Sequence, residues 1–233
     1  MSLKKWLYQK ALGKPLGQEE TLEMSLGDLV IYLFHKGGMK YLRGLWFRHR
    51  LKTCGRRLLI GKNADVLFPK YFSAGDHVTL GDHIYLNCFS KNGVRLGNHV
   101  RLREYVWSQA TSLLTEPGAG LEIGDHTYIG PYCYLGAGGG ISIGKHVTLG
   151  GYVQILAENH AFDDPDQPIN TQGVVRKGIV IEDDCWIGNL AVILDGVRIG
   201  RGSVIGAAAV VTKNVPPNSV VVGNPGRVIR TRG

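Results

Sequence analysis

The chain has only four cysteines in 233 residues, Cys54, Cys88, Cys133 and Cys185, and no two of them form a Cys-x-x-Cys pair. That spacing suggests neither a zinc ribbon nor a disulfide framework. No stretch approaches the ~20 apolar residues needed to span a bilayer, and the first residues lack the apolar core and small-residue cleavage site of a signal peptide. A cytoplasmic protein is therefore expected. Acidic residues are missing from one region altogether. Between Asp28 and Asp65 stand Lys36, Lys40, Arg43, Arg48, Arg50, Lys52, Arg56, Arg57 and Lys62 with no Asp or Glu, and most of the formal charge of +8 resides there. No nucleic-acid recognition motif accompanies that charge, which disfavours a nucleic-acid partner.

The ordinary periods of secondary structure are scarce as well. From Ile181 onward the aliphatics Ile181, Ile187, Ile193, Ile199, Ile205 and Val211 recur every six residues. A strand alternates every two residues and a helix every 3.6, so neither explains six. Small or β-branched residues follow four places on at Cys185, Ala191, Val197, Ser203, Ala209 and Val215. Two inward positions per six residues suit short strands joined by tight turns, stacked coil upon coil in a solenoid. Three sixes make one triangular coil, which places Ile181 below Ile199, Ile187 below Ile205 and Ile193 below Val211. Earlier aliphatic-glycine pairs, Leu80-Gly81, Leu96-Gly97, Ile123-Gly124 and Ile143-Gly144, carry the pattern toward the N-terminus, with Leu80 and Leu96 read as successive coil starts. The 33 glycines follow from a turn at nearly every beat. Cys133 and Cys185 occupy the small inward slot, which marks them as buried packing thiols.

The domain reading is a helical, basic N-terminal extension over residues 1–60, a β-helix over 61–222 and a tail over 223–233. The extension carries Leu29, Val30, Leu33, Phe34, Tyr41, Leu42, Leu45, Trp46 and Phe47, parts of amphipathic helices interrupted at Gly37-Gly38. It is expected to cap the first coil, with contact to an anionic membrane surface as a second role. The largest insertion, about 157–178, is a loop thrown from a corner. Long loops on rigid scaffolds are where function concentrates.

Four segments carry a specific resemblance: Ile-Glu-Asp-Asp-Cys-Trp-Ile-Gly-Asn at 181–189, Gly-Ser-Val-Ile-Gly-Ala at 202–207, Val-Val-Thr-Lys-Asn-Val-Pro-Pro at 210–217 and Gly-Asn-Pro-Gly-Arg-Val-Ile-Arg at 223–230. In these the chain resembles the hexapeptide-repeat acyltransferases, and most of all the O-acetyltransferases of polysaccharides and lipopolysaccharide. The resemblance implies a left-handed parallel β-helix, a homotrimer with sites between subunits, and acetyl-CoA as co-substrate with no metal. It places His160 as the general base that takes the proton of a sugar hydroxyl, a task suited to an imidazole. Asn189 matches a position near the reacting thioester, where an amide or backbone N–H stabilises an oxyanion. Gly188, Gly206 and Ala207 allow close approach of pantetheine, Trp186 either walls that slot or packs, and Lys213 and Arg227 match the cations facing the donor's phosphates. Thirty residues before His160, Gly130 stands where maltose and galactoside acetyltransferases place an asparagine, so their acceptor preference does not transfer.

Two other readings stay beside this one. N-acetyl transfer to an amino sugar uses the same base, and a β-helix without catalysis serves as a binding scaffold. A third pattern, His83, His99, His126 and His146, each three residues after an aliphatic, is expected to stack along one corner. Read as a metal ladder it resembles the γ-class carbonic anhydrases, but it lacks their close pair of histidines. Solvated turns are the expected role.

Overall fold

The computed structural model describes residues 2–12, 23–111 and 114–233. Among the described residues the chain winds as a three-faced parallel β-helix. Face A stacks Thr53–Cys54, Phe72–Ala74, Val94–Leu96, Leu121–Ile123, Ile141–Ile143, Ile179–Ile181 and Arg198–Ile199. Face B runs from Leu59–Ile60 up to Val204–Ile205 and ends in the hairpin Ser219–Val222 with Arg227–Thr231. Face C runs from Asp65–Leu67 to Val210–Val211. This is the expected fold class, an all-β solenoid of the left-handed parallel β-helix type with a helical N-terminal extension. Parallel pairing already begins at Thr53, ahead of residue 61.

The two-residue strands of face B each send one aliphatic inward, and the three-residue strands Val94–Leu96, Leu121–Ile123, Ile141–Ile143 and Ile179–Ile181 of face A send two. On face B, Ile60, Leu80, Leu102, Ile129, Leu149, Ile187, Ile205 and Val221 form one buried column, each paired with its copy in the next coil. Fully burying one such side chain contributes roughly 1.5–3 kcal/mol, so the column is a principal source of stability. Ile181 pairs with Ile199, Ile187 with Ile205 and Ile193 with Val211, as the six-residue beat requires. Cys88, Cys133 and Cys185 lie in the core. Burial pushes the Cys88 thiol up to about 12 and the Cys133 thiol up to about 11, which keeps both protonated and unreactive.

The register differs from the sequence reading at the N-terminal end. Leu80 lies on face B and pairs with Leu102, whereas Leu96 lies on face A and pairs with Ala74 and Ile123, so they do not start successive coils. The histidine stack shifts accordingly. His77, His99, His126 and His146 stack face to face at 4.8, 4.7 and 5.0 Å along the corner between faces A and B. His83 instead stacks on Tyr105 at the corner between faces B and C, where Tyr132 and Tyr152 continue the row. At both corners the ring-bearing residue has a positive φ, 55° at His83 and 57° at His99.

Such left-handed residues are costly unless the turn is held in place. At the A–B corner a ladder of side-chain oxygens supplies the hold. Asp76 Oδ1 accepts the Arg56 N–H at 2.7 Å, Asn98 Oδ1 accepts that of Asp76 at 2.8 Å, and Asp125 Oδ1 accepts that of Asn98 at 2.7 Å. These N–H groups hold the Asp76 and Asp125 carboxyls below the usual carboxylate range. Insertions gather at the third corner, between faces C and A, which carries residues 110–111 and 114–120 and the arm at 157–178.

Candidate active site

The arm leaves face C after Leu156 and returns to face A at Ile179. Asn159–His160 and Val174–Val175 pair antiparallel across its base, and the Ala161 N–H donates to the Gly173 carbonyl at 3.1 Å. Arg176 donates from Nε to Glu158 at 3.0 Å, while the Asp195 carboxylate, one coil later, accepts the N–H groups of Lys177 at 2.9 Å and Gly178 at 2.8 Å. Gln172 closes the tip by donating to the carbonyls of Asp164 and Gln167 and accepting the Asp164 N–H. His160 is thus exposed on a held base. Among the described residues no hydrogen bond reaches its imidazole. Of its neighbours in sequence, Glu158 is paired with Arg176, and Asp164 Oδ1 accepts the Asp166 N–H at 3.0 Å.

The other expected residues divide between two corners. Lys213 lies on the same C–A corner as His160, in the bend that follows Val210–Val211. Trp186 is exposed on face B, and Gly188, Asn189, Gly206 and Ala207 form the B–C corner that follows it. Arg227 opens the last strand of face B, three strands above Trp186 in the sheet order, and its guanidinium donates to the Gly226 carbonyl at 2.9 Å. Asn189 and Leu194 stand at opposite ends of face C, roughly 16 Å apart at ~3.3 Å per residue. One chain therefore carries the imidazole at one end of this face and the Trp186 corner at the other.

Several of these residues have work within the fold. Asn189 Oδ1 accepts the Gly151 N–H at 2.9 Å, leaving its Nδ2 and its backbone N–H to consider for an oxyanion. A Cβ on Gly188 would stand 2.6 Å from the Ala207 nitrogen, so coil stacking itself demands glycine there. Gly206 is similarly crowded by Val222, at 2.9 Å. Trp186, Asn189, Leu190, Ala207 and Ala208 are exposed to solvent at this corner. Gly130 is buried against Gly150 of the next coil at the B–C corner. Sequence reading missed Arg176 and Asp195, the two residues that hold the arm. The available signal was an acid placed one eighteen-residue coil after Lys177.

Comparison with known proteins agrees with this architecture. Residues 178–213 match the bacterial transferase hexapeptide family (six repeats). A Staphylococcus aureus (strain COL) protein provisionally named an acetyltransferase is 40% identical over 121 residues, which cover 50% of this chain and 57% of the relative. The chain thus aligns with little more than half of that relative's length. A mutant of AntD, an N-acyltransferase from Bacillus cereus solved with dTDP and coenzyme A, superposes with a TM-score of 0.58 at 20% identity, covering 82% of this chain and 89% of that one. The polySia-specific acetyltransferase NeuO superposes with a TM-score of 0.51 at 24% identity, covering 77% and 81%. The repeat and the fold are those of the hexapeptide acyltransferases that the sequence resembles.

Proposed function

We propose that this chain, which carries the bacterial transferase hexapeptide repeat, is an acetyl-CoA-dependent O-acetyltransferase acting on a sugar hydroxyl of a surface polysaccharide or its precursor in the cytoplasm. The observation that carries the reading is the separation of an exposed, arm-borne imidazole from the Trp186 corner at the far end of face C. A base and a donor slot that do not meet within one chain meet between neighbouring chains of a closed ring, which favours a homotrimer with three shared sites.

In this reading His160 takes the proton of the acceptor hydroxyl as its oxygen attacks the thioester carbonyl. The tetrahedral intermediate collapses by breaking the carbon–sulfur bond, and the imidazolium returns the proton to the departing CoA thiolate. Products are the acetyl ester and free CoA, with no acyl-enzyme. Donor groups at the Trp186 corner, Asn189 Nδ2 or a turn N–H, face the developing oxyanion. Trp186 walls the pantetheine slot and Ala207 lines it, while Arg227 and Lys213 meet the donor's phosphates, Arg227 from the same corner and Lys213 from the neighbouring chain's C–A corner.

N-acetyl transfer to an amino sugar is the second reading, favoured by the fold shared with AntD, an N-acyltransferase. Free CoA release, measured against a panel of neutral sugars, amino sugars, nucleotide sugars and glycan fragments, separates the two. O-transfer predicts CoA release with neutral glycans and an acetyl ester on the product that alkaline hydroxylamine cleaves; release confined to amino sugars replaces it with N-transfer. No release with any acceptor, and no CoA binding by calorimetry, overturns both.

A further inference from the structure

Helix Met39–Phe47 docks on the first coils through Lys40, Arg43 and Gly44, with Phe47 at its end packed against the core. Lys40 Nζ lies 3.1 Å from Asp82 and Arg43 Nη1 donates to the Ile60 carbonyl at 3.0 Å. Gly44 is buried so closely that a Cβ there would overlap the Leu58 carbonyl oxygen. The opposite side leaves Met39, Tyr41, Leu42, Leu45 and Trp46 exposed, Trp46 by 75%. Helix Leu26–Leu33, joined to it by a π-helical turn over Phe34–Gly38, likewise exposes Val30, Ile31 and Tyr32. A helix on a water-facing surface normally shows the reverse pattern. A run of exposed apolar side chains of this extent marks an interaction site.

Between these helices and the outer side of face B runs a groove of about 1110 Å³. Its cations are Lys40, Arg48, Arg56, Arg57, Arg101 and Arg103, against a single lining carboxylate, Glu104. Lys40, Arg56 and Arg103 are paired with Asp82, Asp76 and Glu104. Among the described residues Arg48, Arg57 and Arg101 have no ion-pair partner. The floor is the outward row Leu59, Thr79, Arg101 and Tyr128, one residue per coil, and therefore about 14 Å long at ~4.8 Å per coil. Uncompensated guanidiniums in one groove repel each other until an anion sits among them, and their paired donors suit phosphate oxygens.

A soluble phosphate satisfies the groove and leaves the apolar helices bare. A second copy covers the helices but brings a further net charge of +8 to a cationic groove. An anionic lipid surface meets both demands. We propose that helices Leu26–Leu33 and Met39–Phe47 and the groove beside them form a peripheral membrane-docking face. Lipid phosphates enter among Arg48, Arg57 and Arg101, and the side chains around Trp46 enter the headgroup–acyl boundary.

The test is co-sedimentation of the full chain with vesicles of phosphatidylcholine, alone or mixed equally with phosphatidylglycerol, a readout that needs no acyl-CoA and is separable from the transferase reading. Binding is expected only to the mixed vesicles and weakens as salt rises. Arg57→Glu with Arg101→Glu, both at exposed and unpaired positions, is expected to lower partitioning by about thirtyfold or more, with the melting temperature confirming the fold. Leu42→Ser with Trp46→Ser is expected to lower it while light scattering shows an unchanged oligomer. Three results overturn the proposal. One is equal binding to both vesicles. Another is calorimetric binding of inorganic phosphate at these arginines without vesicle binding, which makes the groove a soluble-anion site. The third is a changed oligomeric state in the serine variant with no vesicle binding, which makes this face an interface between copies.

Discussion

The two corners that bound face C are built from the same strands yet hold together by opposite means. At the B–C corner the coils touch backbone to backbone. Gly188 sits under the Ala207 nitrogen and Asn189 caps the Gly151 N–H, so little of the turn is free to move, while Trp186, Leu190 and Ala207 project from it. At the C–A corner the chain leaves the stack, and the Glu158–Arg176 ion pair together with the Asp195 carboxylate, which accepts the Lys177 and Gly178 N–H groups, holds the arm that bears His160. A tightly stacked corner offers a fixed wall for a narrow ligand, whereas a clamped arm offers a titratable group that reaches outward. In the proposed mechanism rigid recognition and chemistry are divided between the two ends of one face.

Replacing His160 breaks the division at its chemical end. His160→Ala is expected to lower turnover by ~10²–10⁴-fold, the usual contribution of a general base, with CoA binding by calorimetry retained. Unchanged turnover removes the mechanism. Asp195→Ala frees the arm without touching the imidazole, and misplacement alone is expected to cost up to ~10²-fold in turnover. Single-turnover rates should fall with it while CoA affinity holds; a loss of CoA affinity instead would assign Asp195 to the donor site.

Gly188→Ala probes the other end. Its new Cβ at 2.6 Å from the Ala207 nitrogen is expected to cost ~1–3 kcal/mol of stability, read as a lower melting temperature. An unshifted melt with weakened CoA binding would instead show that the glycine serves the ligand. The smallest effect belongs to the turn ladder at the A–B corner. Asp76, Asp125 and Glu182 have carboxyls held low chiefly by backbone N–H groups of Arg56, Asn98 and Arg201. A lowered folded pKa contributes stability that is present above the unfolded value near ~4 and is lost as pH falls through the lower folded value. Thermal stability should therefore hold steady from neutral pH down to about 5 and fall below about 4. Asp125→Asn keeps an acceptor, as Asn98 does one coil earlier, and should flatten part of that fall; an unchanged acid slope would show that the ladder does not set it.

What the sequence made legible follows from how redundantly each feature is encoded. From Ile181 to Val211 the beat is unbroken, and Ile181, Ile187 and Ile193 each have a copy eighteen residues on, so their pairing was readable residue by residue. Leu80-Gly81-Asp82-His83 and Leu96-Gly97-Asn98-His99 look alike because the A–B and B–C corners both require a left-handed third residue. The signature identifies a corner without saying which one, and His77, which follows Ala74-Gly75-Asp76, was overlooked for lack of a large aliphatic. The arm was visible as an excess of length. Its clamp was not, because Asp195 reads as an ordinary turn acid until the coil places it against Lys177 and Gly178 of the preceding coil. The N-terminal helices were legible as amphipathic, but pattern alone cannot say which side faces the coils, and Gly44 against Leu58 turned the apolar side outward.

The most direct measurement mixes two inactive proteins. His160→Ala lacks the base but has an intact Trp186 corner; Ala207→Trp fills the exposed slot at that corner but keeps the base. If each site takes its base from one chain and its donor wall from the next, unfolding the two together in equal amounts and refolding them restores about a quarter of the wild-type sites. Acceptor-dependent CoA release at that level is the predicted result. A mixture no more active than either variant alone, with mixed oligomers confirmed by mass spectrometry, would contradict a site shared between chains.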